Sequence, residues 1–277
     1  MINFSNVDYW YFKAKPIFND LNLNLQKGNI YGLLGKNGAG KTTFLRLIAG
    51  LLFPKAGTAE VMGFDPSKRH PDMLAELFFI TEELHIPKMS ISNFVKHYST
   101  FYPRFDEAVF NKILNEFEIE SDRKMDTLSY GQKKKTMLAF GLASDSKLLI
   151  LDEPTNGLDI PSKGQFRKVL TEAVSDDRTV IISTHQVRDL ANLMDPVVIL
   201  DQGRILFQKS MEDISKVLNF KLVQSLTPPE GALHVEQVPG GYLTITPNSN
   251  GQYTEVEMES LFNAIVSRKP EILNQFK

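Results

Sequence analysis

The sequence predicts an α/β fold in which a largely parallel sheet is flanked by helices. Short continuous apolar runs, rich in β-branched residues, alternate with segments whose apolar residues recur at helical spacing. Such runs are typical of strands buried on both faces, as they are in parallel sheets. The predicted core strands are Asn29–Leu34, Lys147–Leu151, Thr179–Ser183 and Pro196–Leu200. Phe44–Leu52, which follows a glycine-rich turn, is a predicted helix.

The middle of the chain predicts a helical insertion in this core, at about residues 84–145. Between Ser90 and Phe117 we expect two helices, which Pro103 separates because proline cannot continue a helix interior. Asp106 is the expected N-terminal cap of the second helix.

The sequence pattern changes again after residue 210. Between and after turn signals at 227–229 and 239–241 lie two short alternating runs, Leu233–Val238 and Tyr242–Thr246, and a helix follows from Met258. Thr254 and Glu257 have the spacing of a capping box for that helix. The sequence therefore predicts a cassette-sized domain over 1–210 and a small α+β accessory domain over 211–277.

Composition excludes several classes of function. Of the 277 residues, 42% are hydrophobic and 23% are charged, and the formal net charge is −2. That balance argues against disorder and against a protein that coats nucleic acid through bulk charge. The absence of cysteine excludes disulfides, thiolate metal sites and cysteine nucleophiles. We expect no signal peptide and no membrane span, and hence a cytoplasmic location.

A phosphate-binding loop is the strongest motif. Residues 35–42 read GKNGAGKT and match G-x-x-x-x-G-K-[ST], between a predicted strand and a predicted helix. The glycines let backbone N–H groups approach phosphate oxygens, the lysine reaches the β- and γ-phosphates, and the threonine hydroxyl holds Mg²⁺. The predicted nucleotide-binding residues are Gly35, Lys36, Asn37, Gly38, Ala39, Gly40, Lys41, Thr42 and Thr43.

Two carboxylates form a second candidate site. Four apolar residues, 148–151, run directly into Asp152 and Glu153. A buried parallel strand delivers such residues to its carboxyl end, where α/β sheets bind ligands. We expect Asp152 to hold Mg²⁺ through water, and Glu153 to accept a proton from the attacking water.

Together with a third motif, these residues resemble the ATP-binding cassette family, the ATPase subunits of ABC transporters. The resemblance covers residues 1 to about 210. Its most specific part is the pentapeptide LSYGQ, which resembles the family signature LSGGQ with a tyrosine in place of the first glycine. The signature residues are Leu128, Ser129, Tyr130, Gly131 and Gln132. The resemblance implies a P-loop NTPase (RecA-like) core with a mixed sheet and an N-terminal antiparallel β subdomain.

The resemblance also implies the remaining site residues. In this family the signature faces the ATP of a second subunit, so two ATPs lie between the subunits of a head-to-tail dimer. His185, in Ser183-Thr184-His185, resembles the residue that contacts the γ-phosphate. Tyr11 is the expected adenine-stacking residue, and Trp10 and Phe12 are its alternatives. The segment that resembles the D-loop, which communicates between the two sites, includes Gly157, Leu158 and Asp159.

Two features near these motifs need an interpretation. Glu82 aligns with a glutamine of the family, and glutamate there ligates Mg²⁺ or orients water. The alternative is a charged loop residue. Lys133, Lys134 and Lys135 follow the signature, and we interpret them as a solvated helix face, with contact to an acidic lipid or partner as the alternative.

The family resemblance implies a function and partners. Catalytic roles fall to Glu153, His185 and Lys41, the cofactors are ATP and Mg²⁺, and no nucleic acid is involved. The partners implied are a second ATPase subunit, identical or different, and a separate transmembrane permease, which holds this chain at the inner face of the membrane. The segment around Tyr98–Asp106 is similar to ABC-2-type exporters. An importer ATPase, a soluble ABC ATPase and a catalytically silent subunit are the alternatives, and the substrate is not specified.

Overall fold

The computed structural model of the chain describes residues 1–173, 175, 177–225, 227–249, 251, 253–267 and 270–276. A six-stranded sheet forms its centre, and neighbouring strands are parallel except for one antiparallel edge strand. In spatial order, with chain-order labels, the strands are Leu77–Ile80 (β5), Leu148–Asp152 (β6), Thr179–Thr184 (β7), Ile30–Leu34 (β3), Val197–Asp201 (β8) and Arg204–Lys209 (β9).

Burial of the central strands explains their composition. β6, β7 and β8 are buried along their whole length, so their sequences are continuous apolar runs rather than alternating ones. Leu34 at the end of β3 pairs with Thr184, and Asp152 at the end of β6 pairs with Ser183. The carboxyl ends of three strands therefore meet at one edge of the sheet. The predicted fold class is confirmed.

A three-stranded antiparallel sheet packs beside this core. Its strands are Lys15–Leu25 (β2), Ile2–Phe12 (β1) and Ala56–Val61 (β4), with β1 in the middle. Its apolar side covers the helix Lys41–Ile48 (α1), where Phe44 meets Phe4 edge-on with ring centroids 5.1 Å apart. This is the expected N-terminal antiparallel β subdomain.

Helix α1 ends earlier than the sequence predicts. The apolar spacing indicates a helix to Leu52, but α1 stops at Ile48. Gly50 takes a left-handed conformation, with φ of 64°, and the N–H groups of Leu51 and Leu52 turn back to the carbonyl of Arg46. A glycine just past the last turn is a common way to end a helix, and it overrides the apolar pattern.

The predicted helical insertion contains three helices. They are Ile91–Tyr98 (α3), Glu107–Glu116 (α4) and Tyr130–Ala143 (α5). The Asp106 carboxylate accepts the N–H groups of Ala108 and Val109, so the predicted cap of α4 is present. An aromatic cluster around Phe140 of α5 joins the helices to each other and to β5. Rings within 6.4 Å of that of Phe140 belong to Phe78, Phe94, Tyr102, Phe105 and Phe110.

Arg104 joins this insertion to the central sheet. Its guanidinium donates two hydrogen bonds of 2.6 Å to the Glu76 carboxylate, and its Nε donates to Asp145 Oδ2 at 3.1 Å. The bidentate pair holds the pKa of Glu76 below its usual value. The contact ties the turn before α4 to the residue that precedes β5.

Replacing Arg104 with methionine is expected to lower the free energy of unfolding by about 1 kcal/mol at neutral pH, a small value because solvent screens the partly exposed pair. Glu76 has a folded pKa below its unfolded value, so its contribution is present above pH 4.5 and is lost as the pH falls through the folded pKa. The free energies of unfolding of parent and variant, measured with urea, should therefore become equal at acidic pH. An equal difference at neutral and acidic pH would contradict the ion pair as its source, and Lys124→Met, at an exposed position in the same region, is the control.

The residues after 210 form a small sheet with helices. The sheet consists of Leu218–Val223 (β10), Gly241–Pro247 (β12) and His234–Val238 (β11), with β12 in the middle. In the described part of this region, the helices Met211–Val217 (α7), Met258–Val266 (α8) and Pro270–Asn274 (α9) accompany it.

The predicted capping box of α8 is wrong. Glu257 is the N-cap residue itself, and it makes no side-chain cap hydrogen bond. The Thr254 hydroxyl donates instead to the carbonyl of Leu218, at 3.0 Å. The threonine therefore holds the chain before α8 against β10, a contact that local spacing cannot reveal.

The remaining helices complete the core. Pro71–Ala75 (α2) precedes β5, and Ile160–Ala173 (α6) packs beside α5. Among the described residues no helix combines the length and apolar character that crossing a membrane requires.

Candidate nucleotide site

The glycine-rich loop between β3 and α1 has the geometry of a phosphate loop. Gly38 and Gly40 have φ of 80° and 106°, a region that glycine enters at little cost. A Cβ on Gly35 would lie 2.5 Å from the carbonyl oxygen of Leu200, so glycine is required there as well. The Lys41 Nζ donates back to the Gly35 carbonyl at 2.8 Å, which curls the loop around its own lysine.

Thr42 and Asp152 meet at the carboxyl edge of the sheet. The Thr42 hydroxyl donates to Asp152 Oδ2 at 2.8 Å, and the Ser183 hydroxyl donates to Oδ1 at 2.5 Å. Asp152 is completely buried, and this burial raises the pKa of its carboxyl. Sequence reasoning named Ser183 only as part of the motif before His185, although its register opposite Asp152 follows from the parallel pairing of β6 and β7.

These oxygens fit Mg²⁺. The ion prefers oxygen ligands, and in nucleotide sites one or two protein groups hold it together with phosphates and water. The hydroxyl of Thr42 and the carboxylate of Asp152 supply such a pair. No cluster of three or more His, Asp or Glu side chains able to hold a metal occurs in the described part of the chain.

Glu153 has an unusual backbone and three polar contacts at its carboxylate. Its φ is 46°, a left-handed conformation that is uncommon outside glycine, and its N–H lies 3.1 Å from both the carbonyl and the hydroxyl oxygens of Ser183. Oε1 lies 2.9 Å from His185 Nδ1 and 3.4 Å from Lys41 Nζ, and Oε2 accepts the His185 N–H at 3.3 Å. Three predicted catalytic residues are therefore in direct contact.

Glu82 belongs to a chain of hydrogen bonds between loops. Its Oε1 accepts from the Asn156 amide at 3.0 Å, and Asn156 Oδ1 accepts from Gln186 at 3.2 Å. Glu82 also lines a cavity with Thr42 and Asp152, but it makes no hydrogen bond to either in the described structure. The structure thus brings Thr42 and Asp152 into contact and places Glu82 beside them.

Most of the predicted phosphate loop lines one cavity of about 530 Å³, together with Glu82, Glu153 and His185. Sequence reasoning missed Ile17 of β2, which also lines it, and no pattern around Ile17 marks it. Asn156 lines it as well; it stands first in the segment that resembles the D-loop, but it was not assigned to the nucleotide cavity. The lining residues are Ile17, Lys36, Asn37, Gly38, Gly40, Lys41, Thr42, Thr43, Glu82, Glu153, Asn156 and His185.

Tyr11 lies at the rim of the phosphate loop. Its hydroxyl is 3.3 Å from the Thr43 hydroxyl, and its side chain is half exposed. Phe12, one of the two alternatives, is 79% exposed, and Trp10 is partly buried. The assignment of Tyr11 as the adenine contact stays a prediction.

The signature begins helix α5, with Ser129 and Tyr130 exposed and Gly131 and Gln132 partly buried. Ser129 accepts the N–H of Gln132 at 3.2 Å, and the Gln132 side chain accepts the N–H of Ser129, which makes a complete capping box. Leu128 is buried beneath them. None of residues 128–132 is among the described residues that line the phosphate cavity.

The D-loop runs along the first turn of α5. A Cβ on Gly131 would touch Leu158 at 3.4 Å, and Gly157 has φ of 76° with the Tyr130 ring directly beside it. The Asp159 carboxylate accepts the Ser162 N–H at 2.9 Å and so caps α6. Hydrogen bonds from the Ser162 side chain and then from its N–H hold the pKa of Asp159 below the usual value.

The interpretation of the three lysines as a solvated face is wrong for Lys134. Its side chain is 3% exposed, and its Nζ donates to the carbonyls of Glu153 and Asn156 at 2.7 and 3.0 Å. A signal was present in the sequence, because Lys134 stands midway between Tyr130 and Leu138 at helical spacing. Lys135 is partly buried, and its Nζ donates to Gln165 at 2.7 Å.

The parallel sheet, the phosphate loop and the Asp152 carboxylate together define a P-loop nucleoside triphosphatase. The sequence matches the family model described as ABC transporter over residues 18–156, half of the chain. The chain therefore belongs to the ABC transporter family. It is an ATP-binding subunit of that family and an ATPase.

Relatives and a solved structure agree with this assignment. The lantibiotic transport ATP-binding protein SrtF of Streptococcus pyogenes is 30% identical over 229 residues, which cover 80% of this chain and 98% of that protein. The Nod factor export ATP-binding protein I of Burkholderia orbicola is 29% identical, over 97% of this chain and 87% of that protein. The fold resembles a dimeric post-hydrolysis structure of the ATP-binding cassette MJ0796 with ADP and phosphate. The TM-score is 0.66 at 21% identity, over 76% of this chain and 98% of that chain.

Proposed function

We propose that this chain is the ATPase subunit of an exporter, and that two such subunits close head to tail on two ATP molecules. The observation that carries this proposal is the position of the signature, which exposes Ser129 and Tyr130 and contributes nothing to the described lining of its own chain's phosphate cavity. Stabilising the transferred γ-phosphate requires donors on more than one side. The signature of a second subunit, with the N–H groups that open its α5, supplies donors on the open side.

In the proposed mechanism each residue has one task. Lys41 contacts the β- and γ-phosphates, and His185 contacts the γ-phosphate. The Glu153 carboxylate orients the attacking water and accepts its proton as the oxygen attacks phosphorus in line with the leaving ADP. Thr42, Asp152 and, beside them, Glu82 would hold Mg²⁺, which would offset the charge of the phosphates.

Export and the membrane partner are the finer part of the proposal. This chain hydrolyses ATP, and a separate permease crosses the membrane. The permease holds this chain at the inner face of the membrane. The two relatives described above carry lantibiotic transport and Nod factor export in their names, which supports a transport role. We propose that residues 1–210 act as the cassette, that the helical part at about 84–145 docks the permease, and that 211–277 are accessory. The neighbouring gene provides a test. A gene for a permease with several membrane spans beside the gene for this chain would support a transporter subunit over a soluble ABC ATPase.

Replacing Glu153 with glutamine tests the dimer. The amide cannot accept the water proton, so turnover should fall by about 100-fold or more while ATP binding persists. We expect the variant to migrate as a dimer with Mg-ATP and as a monomer without it, by light scattering after size exclusion.

Adding Ser129→Arg to that variant sharpens the test. A bulky cation at the exposed signature should block the dimer, while ATP still binds to the phosphate loop of the same chain. Persistence of the dimer in the double variant, or a Glu153→Gln chain that stays monomeric with ATP, would overturn the head-to-tail arrangement.

A further inference from the structure

Lys134 is a buried ammonium that is solvated by peptide carbonyls. Its side chain is 3% exposed, and two of its three donors are directed to the carbonyls of Glu153 and Asn156. The Tyr130 ring lies on another side, with its centroid 5.2 Å from Nζ. No carboxylate of the described residues lies within ion-pair distance of it.

Such burial is unfavourable for the fold in itself. Removing an ammonium from water disfavours the charged form, and this burial lowers the pKa of Lys134 to about 8. The surroundings of the side chain include Ile80, Leu138 and Leu151, which would accept a methionine of similar length. Because an apolar residue would fit the space, packing alone does not account for an ammonium at this position.

The carbonyl that Lys134 holds belongs to the proposed general base. Glu153 has a left-handed backbone, a conformation that persists only where its surroundings fix it. Ser183 fixes the N–H side of the residue, and Lys134 fixes the carbonyl side at 2.7 Å. With both flanking peptide groups held, the carboxylate is aimed at Lys41 and His185.

The same lysine lies one helical turn after Tyr130 of the signature. The Tyr130 hydroxyl donates to the carbonyl of Glu82 at 2.6 Å, and the Tyr130 ring packs against Gly157. The first turns of α5 are therefore joined directly to the backbone at Glu82, Glu153 and Asn156. A displacement of the signature carries Lys134 with it, because both belong to one continuous helix.

We propose that Lys134 is a positioning residue for ATP hydrolysis, which holds the backbone of Glu153 and links its orientation to the signature helix. This proposal rests on the proposed role of Glu153. It makes Lys134 act through Glu153 and Asn156, without contact to the nucleotide.

Lys134→Met and Lys134→Gln test the proposal in the full chain. Methionine removes all donors, so we expect kcat to fall by about 10- to 100-fold with the KM for ATP within about twofold of the parent. Glutamine keeps amide N–H donors and should restore part of the loss. Lys133→Met is the matched control, because the Lys133 side chain makes no hydrogen bond or ion pair among the described residues, and it should behave as the parent.

Thermal unfolding and the Glu153→Gln variant are measured alongside. A purely structural role predicts a lower Tm for Lys134→Met with kcat unchanged in the folded fraction, and that result overturns the proposal. So does a parent-like kcat in both Lys134 variants, or a loss that appears equally in Lys133→Met. If Glu153→Gln itself keeps full turnover, the proposed role of Glu153 fails instead, whatever the Lys134 variants show.

Discussion

Replacing Lys41 with methionine is expected to lower kcat/KM for ATP by about 1000-fold or more. The Lys41 side chain is 7% exposed, and its Nζ lies 2.8 Å from the Gly35 carbonyl and 3.4 Å from Glu153. In this buried position the Lys41 ammonium interacts with phosphate oxygens more strongly than it would in water, because water screens the charges less. Loss of one preorganised donor costs about 100- to 1000-fold in kcat, and the loss of a charged partner weakens ATP binding further.

Steady-state hydrolysis and equilibrium titration with a fluorescent ATP analogue would check both parts of this expectation. Lys68→Met is a suitable control, since Lys68 is an exposed lysine outside the cavity whose partner is Asp65. A Lys41→Met enzyme within tenfold of the parent would show that the loop holds the nucleotide without its lysine.

Replacing Arg178 with methionine is expected to lower the free energy of unfolding by about 2 kcal/mol. Arg178 is 3% exposed, and its guanidinium donates to the carbonyls of Ser146, Leu142 and Gly141 at 2.9 to 3.1 Å. The last two carbonyls each keep a second donor near the end of helix α5, the Asp145 N–H at 3.3 Å and the Ser144 hydroxyl at 2.8 Å. Methionine fills the space but leaves the buried Ser146 carbonyl without a donor among the described residues, at a cost of about 1 to 3 kcal/mol.

Calorimetry should show a Tm lower by roughly 5 °C for Arg178→Met. Arg178→Lys should recover only part of the loss, because one ammonium cannot match the planar fork that reaches three carbonyls. Arg204→Met, at an exposed position on β9, is expected to change little. A loss below about 1 kcal/mol for Arg178→Met would mean that water replaces the guanidinium.

The core and the phosphate site could be predicted because their signals are local. A continuous apolar run that ends in Asp152 and Glu153 specifies a buried strand and its carboxyl end within six residues. The spacing of the glycines and Lys41 likewise specifies a loop of one shape. In parallel strands the carboxyl ends lie together, so separate motifs such as those at Thr42 and Asp152 meet without any further information.

The parts that could not be predicted depend on contacts between distant segments. Nothing near Lys134 or Arg178 shows that each will meet carbonyls from another segment of the chain. The strand β10 was missed for a different reason. It lies at the edge of its sheet and is mostly partly exposed, so its residues do not alternate clearly between apolar and polar. The wrong prediction at Thr254 has the same origin as the wrong prediction at Lys134, since the hydrogen-bond partner of Thr254, Leu218, is 36 residues away.

The packing of Tyr130 on Gly157 has an evolutionary consequence. A Cβ on residue 157 would stand 2.8 Å from the Tyr130 ring, and the φ of 76° already disfavours any side chain there. Positions 130 and 157 should therefore vary together among descendants of this sequence. Lineages that keep the tyrosine should keep glycine at 157, whereas a small residue at 130 relaxes the steric part of the constraint. Directed evolution that starts from Gly157→Ala would then be expected to recover fitness through shrinkage of Tyr130.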